Sequence, residues 1–200
     1  MGPMRKDMTT HKAELMLVPI MIFLSACGGE PQPPTTTTAP QEQAEGAKME
    51  LDVTSTAFEE GDSIPARYTC DGLEVSPPLS WASVPRDTQS LALIADDPDA
   101  PRRTFVHWVI YNLPPDARRL PEDVPNRQTL PSGARQGVNG AGSVGYMGPC
   151  PPSGTHRYFF KVYALDTRLG LGDATKEALL RAMEGHVLAE GHLMGTYQRE

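Results

Sequence analysis

An all-β fold, an antiparallel β-sandwich with one or two short helices near the C-terminus, is predicted by three features of the chain. Short aromatic and β-branched runs alternate with clusters of turn residues, and 18 glycines and 20 prolines punctuate the 200 residues. One late segment carries a helical pattern with both of its stops. No period of 20 to 50 residues recurs, which removes solenoids and propellers. Many short strands with a single late helix favour two packed sheets over alternating βα units.

The N-terminal residues stand apart from that domain. Arg5, Lys6 and Lys12 precede an apolar run from Leu15 to Leu24, with Ser25, Ala26 and Cys27 behind it. This is the layout of an export signal, too short and too interrupted by Pro19 to span a bilayer. Leu24-Ser25-Ala26-Cys27 resembles the bacterial lipobox, which implies that residues 1–26 are removed and that Cys27 carries lipid and membrane attachment. The resemblance further implies a cell-envelope location, with Gly28 favouring the outer membrane where the cell has one. Residues 27–48, rich in Pro, Thr, Gln and Glu, bury too little to fold and read as a tether. At about 3 Å per residue it reaches roughly 60 Å.

Residues 49–200 form the expected domain. Alternation predicts a half-buried strand over 49–55, and the apolar run 91–96 a strand buried on both faces. Residues 105–113 are aromatic and β-branched until Pro114 ends the run. Pro149, Pro151 and Pro152 with Gly145, Gly148 and Gly154 make residues 145–154 a stiff loop. That loop feeds a strand over 157–165, at whose start His156 and Tyr158, two apart, share a face. A helix over 175–184 takes Asp173 or Thr175 as N-cap, turns Leu179, Leu180 and Met183 to one side, and stops at Gly185. Residues 192–198 close the domain as a last strand.

Charge narrows the partners. Removing residues 1–26 takes Arg5, Lys6 and Lys12, and Asp7 and Glu14, from totals of 18 basic and 25 acidic side chains, leaving net −8. Such a surface repels polyphosphate and argues against nucleic acid. With Cys27 acylated, Cys70 and Cys150 remain in an oxidising compartment. Pairing and separate burial fit their spacing equally well.

Several chemistries compete for the same residues. Gly140-x-Gly142-x-x-Gly145 matches the dinucleotide glycine pattern, but Tyr146-Met147-Gly148-Pro149 cannot begin the helix that pattern needs. Ser153 stands three residues before His156, yet neither it nor Ser143 sits on a strand-to-helix elbow. His107 and His156 with Asp97 or Asp99 have the types of a two-histidine, one-carboxylate metal site without close ligand spacing. The remaining reading is an anion pocket that needs no metal and no cofactor. Two imidazoles and the Tyr158 hydroxyl donate hydrogen bonds, amides near Gly148 add donors, and Pro151 and Pro152 form a rigid wall. A carboxylate beside one histidine would hold its tautomer. If the rings must donate and one is charged, anion affinity falls as pH rises through about 7.

Asp97-Pro98-Asp99-Ala100-Pro101, His107 in a strand ending Asn112-Leu113-Pro114, Tyr146 to Pro152, and Thr155-His156-Arg157-Tyr158 together resemble the phosphatidylethanolamine-binding protein family. Tyr68 to Gly72 and Ser76 to Trp81 extend the likeness, which runs from about Glu50 to Arg199 and is greatest to the bacterial, Raf kinase inhibitor-like branch. The resemblance implies two antiparallel sheets and a small pocket for phosphate or phosphorylated head groups, lined by Asp97, Asp99, His107, Gly148, Pro152, His156 and Tyr158. Animal members carry a longer insert before the histidine; this chain has only Arg102 to Val106, with Phe105 where their tryptophan falls. Binding is therefore expected over turnover, with a protein inhibitor or scaffold role for an unknown partner. A weak ester hydrolase using the two histidines, and an envelope protease inhibitor acting outside the pocket, are the alternatives.

Overall fold

The structure, a computed structural model, describes residues 49–199. The export signal, Cys27 and the tether expected over residues 1–48 lie outside the described residues.

Among the described residues nine strands and one α-helix follow in chain order: β1 Met49–Glu50, β2 Asp52–Thr54, β3 Leu79–Ala82, β4 Ser90–Asp97, β5 Phe105–Leu113, β6 Arg119–Leu120, β7 Arg135–Gln136, β8 Thr155–Leu165, α1 Lys176–Met183 and β9 Val187–Gln198. A six-stranded sheet has the order β1-β9-β8-β4-β5-β7, and a three-stranded sheet the order β2-β3-β6. The four long strands expected from sequence are present: β5 has the expected bounds, and β4, β8 and β9 are extended by one to five residues at an end. The short strands β3, β6 and β7 have no sequence signal of their own, because two to four residues carry too little pattern.

The strand expected over 49–55 is divided between the two sheets. Met49 and Glu50 pair parallel with Ala189 and Glu190, whereas Asp52 to Thr54 pair antiparallel with Ala82 to Ser80. Leu51, buried at the crossing, donates its amide to the Glu190 carbonyl at 3.0 Å. The parallel pair is the one departure from all-antiparallel pairing among the named strands. Gly191 makes the crossing possible, since a Cβ there would lie 2.0 Å from the Leu51 carbonyl oxygen.

The two sheets enclose the main core. Tyr158, Phe160, Val162 and Ala164 of β8 meet Leu93, Trp108, Ile110 and Leu193 from the large sheet and Val53, Leu79 and Trp81 from the small one. The outer face of the large sheet has a second core, where Ile94, Val109 and Tyr111 pack with Leu165, Leu179 and Met183. Every residue of β4 is buried because it is covered on both sides, which explains why its sequence is apolar without alternation.

Helix α1 is capped by the Thr175 hydroxyl, which accepts the Ala178 amide at 3.3 Å, and it ends before Gly185 at φ 79°. Leu179 and Met183 face the sheet, but Leu180 is exposed. One residue turns the helix by about 100°, so Leu179 and Leu180 cannot both face the core. Asp96, only 1% exposed, accepts hydrogen bonds from Lys161 and from Lys176, tying the helix start to the sheet.

A methyl group at Gly191 has no room to relax into, because backbone opposes it. Gly191→Ala is expected to destabilise by about 1–3 kcal/mol, while Gly170→Ala, with nothing within 4 Å of its added Cβ, stays within about 0.5 kcal/mol of the parent. Urea denaturation midpoints of the two variants check this contrast.

Candidate functional site

Asp97, His107, His156 and Tyr158 come together at the ends of β4, β5 and β8, three neighbouring strands. Tyr158 and His156 alternate with exposed Arg157 and point to the inner side of the sheet. His107 precedes Trp108, a residue of the inner core, and by strict alternation it would face α1 instead. A β-bulge prevents this. Ala95 pairs with Trp108 and the adjacent Asp96 pairs with Val106, so His107 is an extra residue opposite an uninterrupted β4. The bulge turns the imidazole inward, 5.2 Å from the Tyr158 ring and 4.9 Å from Phe105.

Each imidazole is held through Nδ1. His107 Nδ1–H donates to the Met147 carbonyl at 2.7 Å, and the His107 carbonyl accepts the Met147 amide at 3.0 Å. A carbonyl has no hydrogen to give, so the proton sits on Nδ1. His156 Nδ1–H donates to Asp97 Oδ2 at 2.7 Å, while Asp97 Oδ1 accepts the Asp99 amide at 2.8 Å. Neither Nε2 has a partner among the described residues. Among the described residues the sealed, unpartnered side-chain polar atoms are Arg135 Nε and Tyr158 Oη, so both Nε2 atoms keep some contact with solvent although His107 and His156 are only 5% and 7% exposed. Burial holds the His107 imidazole below the ordinary histidine range, against the opposing pull of the Met147 bond and the Asp97 charge. The Tyr158 hydroxyl is pushed above the usual phenol range, first by burial and then by Asp97 and Asp99.

Loops close over this end of the sheet. Asn126 accepts the Tyr146 amide at 2.9 Å, and Tyr146 donates its hydroxyl to the Tyr68 carbonyl at 2.8 Å. Cys70 and Cys150 are joined, with Cα atoms 5.5 Å apart, and the Cys70 amide donates to the Pro149 carbonyl at 3.1 Å. Closing a span of 80 residues restricts the unfolded chain by about 4 kcal/mol. Gly148 lies against the Tyr68 carbonyl, which would stand 2.8 Å from an added Cβ.

Three expected pocket residues have other duties here. Asp99 accepts from the Arg157 amide at 3.0 Å, from Nε at 2.9 Å and from Nη2 at 2.8 Å, which makes it a clamp on the start of β8. The Gly148 amide donates to Glu74 Oε1 at 3.3 Å, so it is already occupied. Pro151 is buried and Pro152 exposed, so the rigid wall is Pro151. Glu74 and Met147 escaped sequence reading: one is an exposed acid in a turn and the other acts through its carbonyl, and neither has a side-chain signature. Among the described residues no group of three or more His, Cys, Asp or Glu converges as a metal site. A surface hollow of about 580 Å³ lies on the opposite side of β8, over Phe159, Lys161, Tyr163 and His192, but its lysine is already paired with Asp96.

Comparison with known proteins agrees with this architecture. Residues 54–198 match the family described as "Phosphatidylethanolamine-binding protein". The chain is 59% identical to a UPF0098 protein of Methanothermobacter thermautotrophicus over 72% of its own length and 95% of the relative's. It is 50% identical to one of Aquifex aeolicus, over 78% and 92%. Among solved structures it resembles the phosphatidylethanolamine-binding protein homologue CT736 of Chlamydia trachomatis, at TM-score 0.70 and 45% identity over 76% of this chain and 99% of that one. It resembles E. coli YbcL, described as a new member of the mammalian family, at TM-score 0.70 and 33% identity over the same shares.

The Asp99 clamp has a pH signature. The Arg157 hydrogen bonds hold its carboxyl at about 2, below its unfolded value, so its stabilisation is complete above about pH 4 and is lost as pH falls through about 2. Asp99→Asn is expected to be less stable than the parent at pH 5 and to converge with it near pH 2, measured by urea denaturation across that range. A constant difference at every pH would contradict the clamp.

Proposed function

The chain belongs to the phosphatidylethanolamine-binding protein family, and from that premise we propose that its domain binds a small phosphate-bearing anion, free or as a phosphorylated head group, at the His107–His156 site. The observation that carries this reading is the convergence of the two imidazoles on one end of the sheet with neither Nε2 atom partnered or fully sealed among the described residues. Tyr158, whose ring lies 5.2 Å from that of His107, adds a hydroxyl that has no partner among the described residues. A buried, unsatisfied hydroxyl next to two free ring nitrogens suits a polar ligand better than an apolar one.

The proposal extends to attachment. Lipid on Cys27 would hold the domain at the envelope membrane on the tether of residues 28–48, and the pocket would face small phosphorylated solutes or nearby head groups. A role as inhibitor or scaffold for a protein partner would use surface outside the site. Among the described residues the two imidazoles are bonded to the Met147 carbonyl and to Asp97, and neither to a serine hydroxyl, so binding is favoured over hydrolysis through a serine nucleophile.

Calorimetric titration with phosphorylethanolamine at pH 6 is expected to give saturable binding that weakens at least tenfold in His156→Ala, with no phosphate released on prolonged incubation. Undiminished binding by His156→Ala would refute the site, and sustained phosphate release lost in that variant would make the domain an enzyme. Separately, Cys27→Ala is expected to move the full chain from the membrane fraction to the soluble fraction, and an unchanged distribution would refute the anchor.

A further inference from the structure

Hydrogen bonds at the site run in an unexpected direction for an anion pocket. His107 Nδ1–H is used on the Met147 carbonyl, His156 Nδ1–H on Asp97, and the Gly148 amide on Glu74. With both rings neutral, what remains toward solvent is a pair of Nε2 lone pairs. A neutral imidazole protonated on Nδ1 can only accept at Nε2. An oxyanion without hydrogen would therefore meet two lone pairs and the charges of Asp97 and Glu74.

Resting on the anion-binding reading above, we infer that this site selects oxyanions that bring their own hydrogen, so that a phosphate monoester binds as its monoanion, P–O–H donating to an imidazole Nε2, in preference to sulfate or a phosphate diester. The alternative source of hydrogen is protonation of a ring. For His107 this is opposed by its surroundings: 5% exposure, the Phe105 ring at 4.9 Å and the Tyr158 ring at 5.2 Å. The charged groups bearing on it are Asp97, Asp96 and Glu74, and they do not offset its burial. His156 faces Asp97 directly. Nearby Asp99 is taken up by Arg157, and Tyr197, its partner across β9, is bonded to Asp71. A further donor at the site is the Tyr158 hydroxyl, which has no acceptor among the described residues and is sealed from solvent.

Asp97 sets this selectivity as a positioning residue. Its Oδ1 accepts the Asp99 amide, so in Asp97→Asn that oxygen keeps its partner and the new amide nitrogen faces His156. An N–H in that place donates to Nδ1 and moves the ring proton to Nε2, turning an acceptor toward the ligand into a donor. Loss of a negative charge alone would strengthen all oxyanions alike; the tautomer change strengthens those without hydrogen most.

The test is calorimetric titration of the folded protein with phenyl phosphate, dimethyl phosphate and sulfate, in buffers of differing ionisation enthalpy so that protons taken up are counted. At pH 6, near the second ionisation of a phosphate monoester, phenyl phosphate is expected to bind at least tenfold more tightly than the other two. Its affinity is expected to fall about tenfold per pH unit between 7 and 8, with about one proton taken up per ligand. Asp97→Asn is expected to narrow the preference at least threefold and lower the proton count. Equal affinities at pH 6 with no proton uptake, or an unchanged ratio in Asp97→Asn, would overturn the inference while leaving an anion site. Failure of all three ligands to bind would overturn the anion reading itself.

Discussion

One extra residue in β5 decides what this end of the molecule can do. Opposite the bulge β4 runs without interruption, so the extra residue is accommodated in β5 and His107 turns onto the face that carries Tyr158. The ring then has a carbonyl within reach, and the bonds exchanged with Met147 in both directions hold the proline-rich loop to the strand. Were β5 regular, the imidazole would lie under α1, and the loop would lose both attachments.

The same two bonds determine the polarity of the site. Backbone carbonyls and carboxylates that orient a histidine also consume its Nδ1 hydrogen, leaving a lone pair on the exposed edge. Asp97 does this for His156 and in addition stops the turn at Asp99, so one carboxylate serves the ring and the backbone together. Asp99, adjacent in the same turn, spends its oxygens on Arg157. The acidic turn is therefore a pair of structural acceptors, one orienting His156 and the other holding Arg157.

The rest of the fold keeps these side chains in place. β4 is covered on both faces, by the small sheet within and by α1 without, and cannot shift relative to β5 or β8 without exposing apolar side chains at about 25 cal/mol per Å². The disulfide between Cys70 and Cys150 and the Tyr146 to Tyr68 hydrogen bond join the two loops that border the site. Gly191, at the far edge, lets the first residues of the domain cross from one sheet to the other.

From residues alone the four long strands, the capped helix, the mainly-β class and the family were legible, because each rests on a local pattern: alternation, a Thr cap with a Gly stop, or separated motifs in order. Asp97, His107, His156 and Tyr158 could be named as neighbours through the family likeness. Which way their hydrogens point could not be read, since that depends on the Met147 carbonyl and on a register shift with no sequence signature. Glu74 on the Gly148 amide, Asp99 on Arg157 and the union of Cys70 with Cys150 likewise depend on segments distant in the chain. Local propensity determined the elements; only packing, which brings a carbonyl or a carboxylate to one particular ring nitrogen, decided their chemistry.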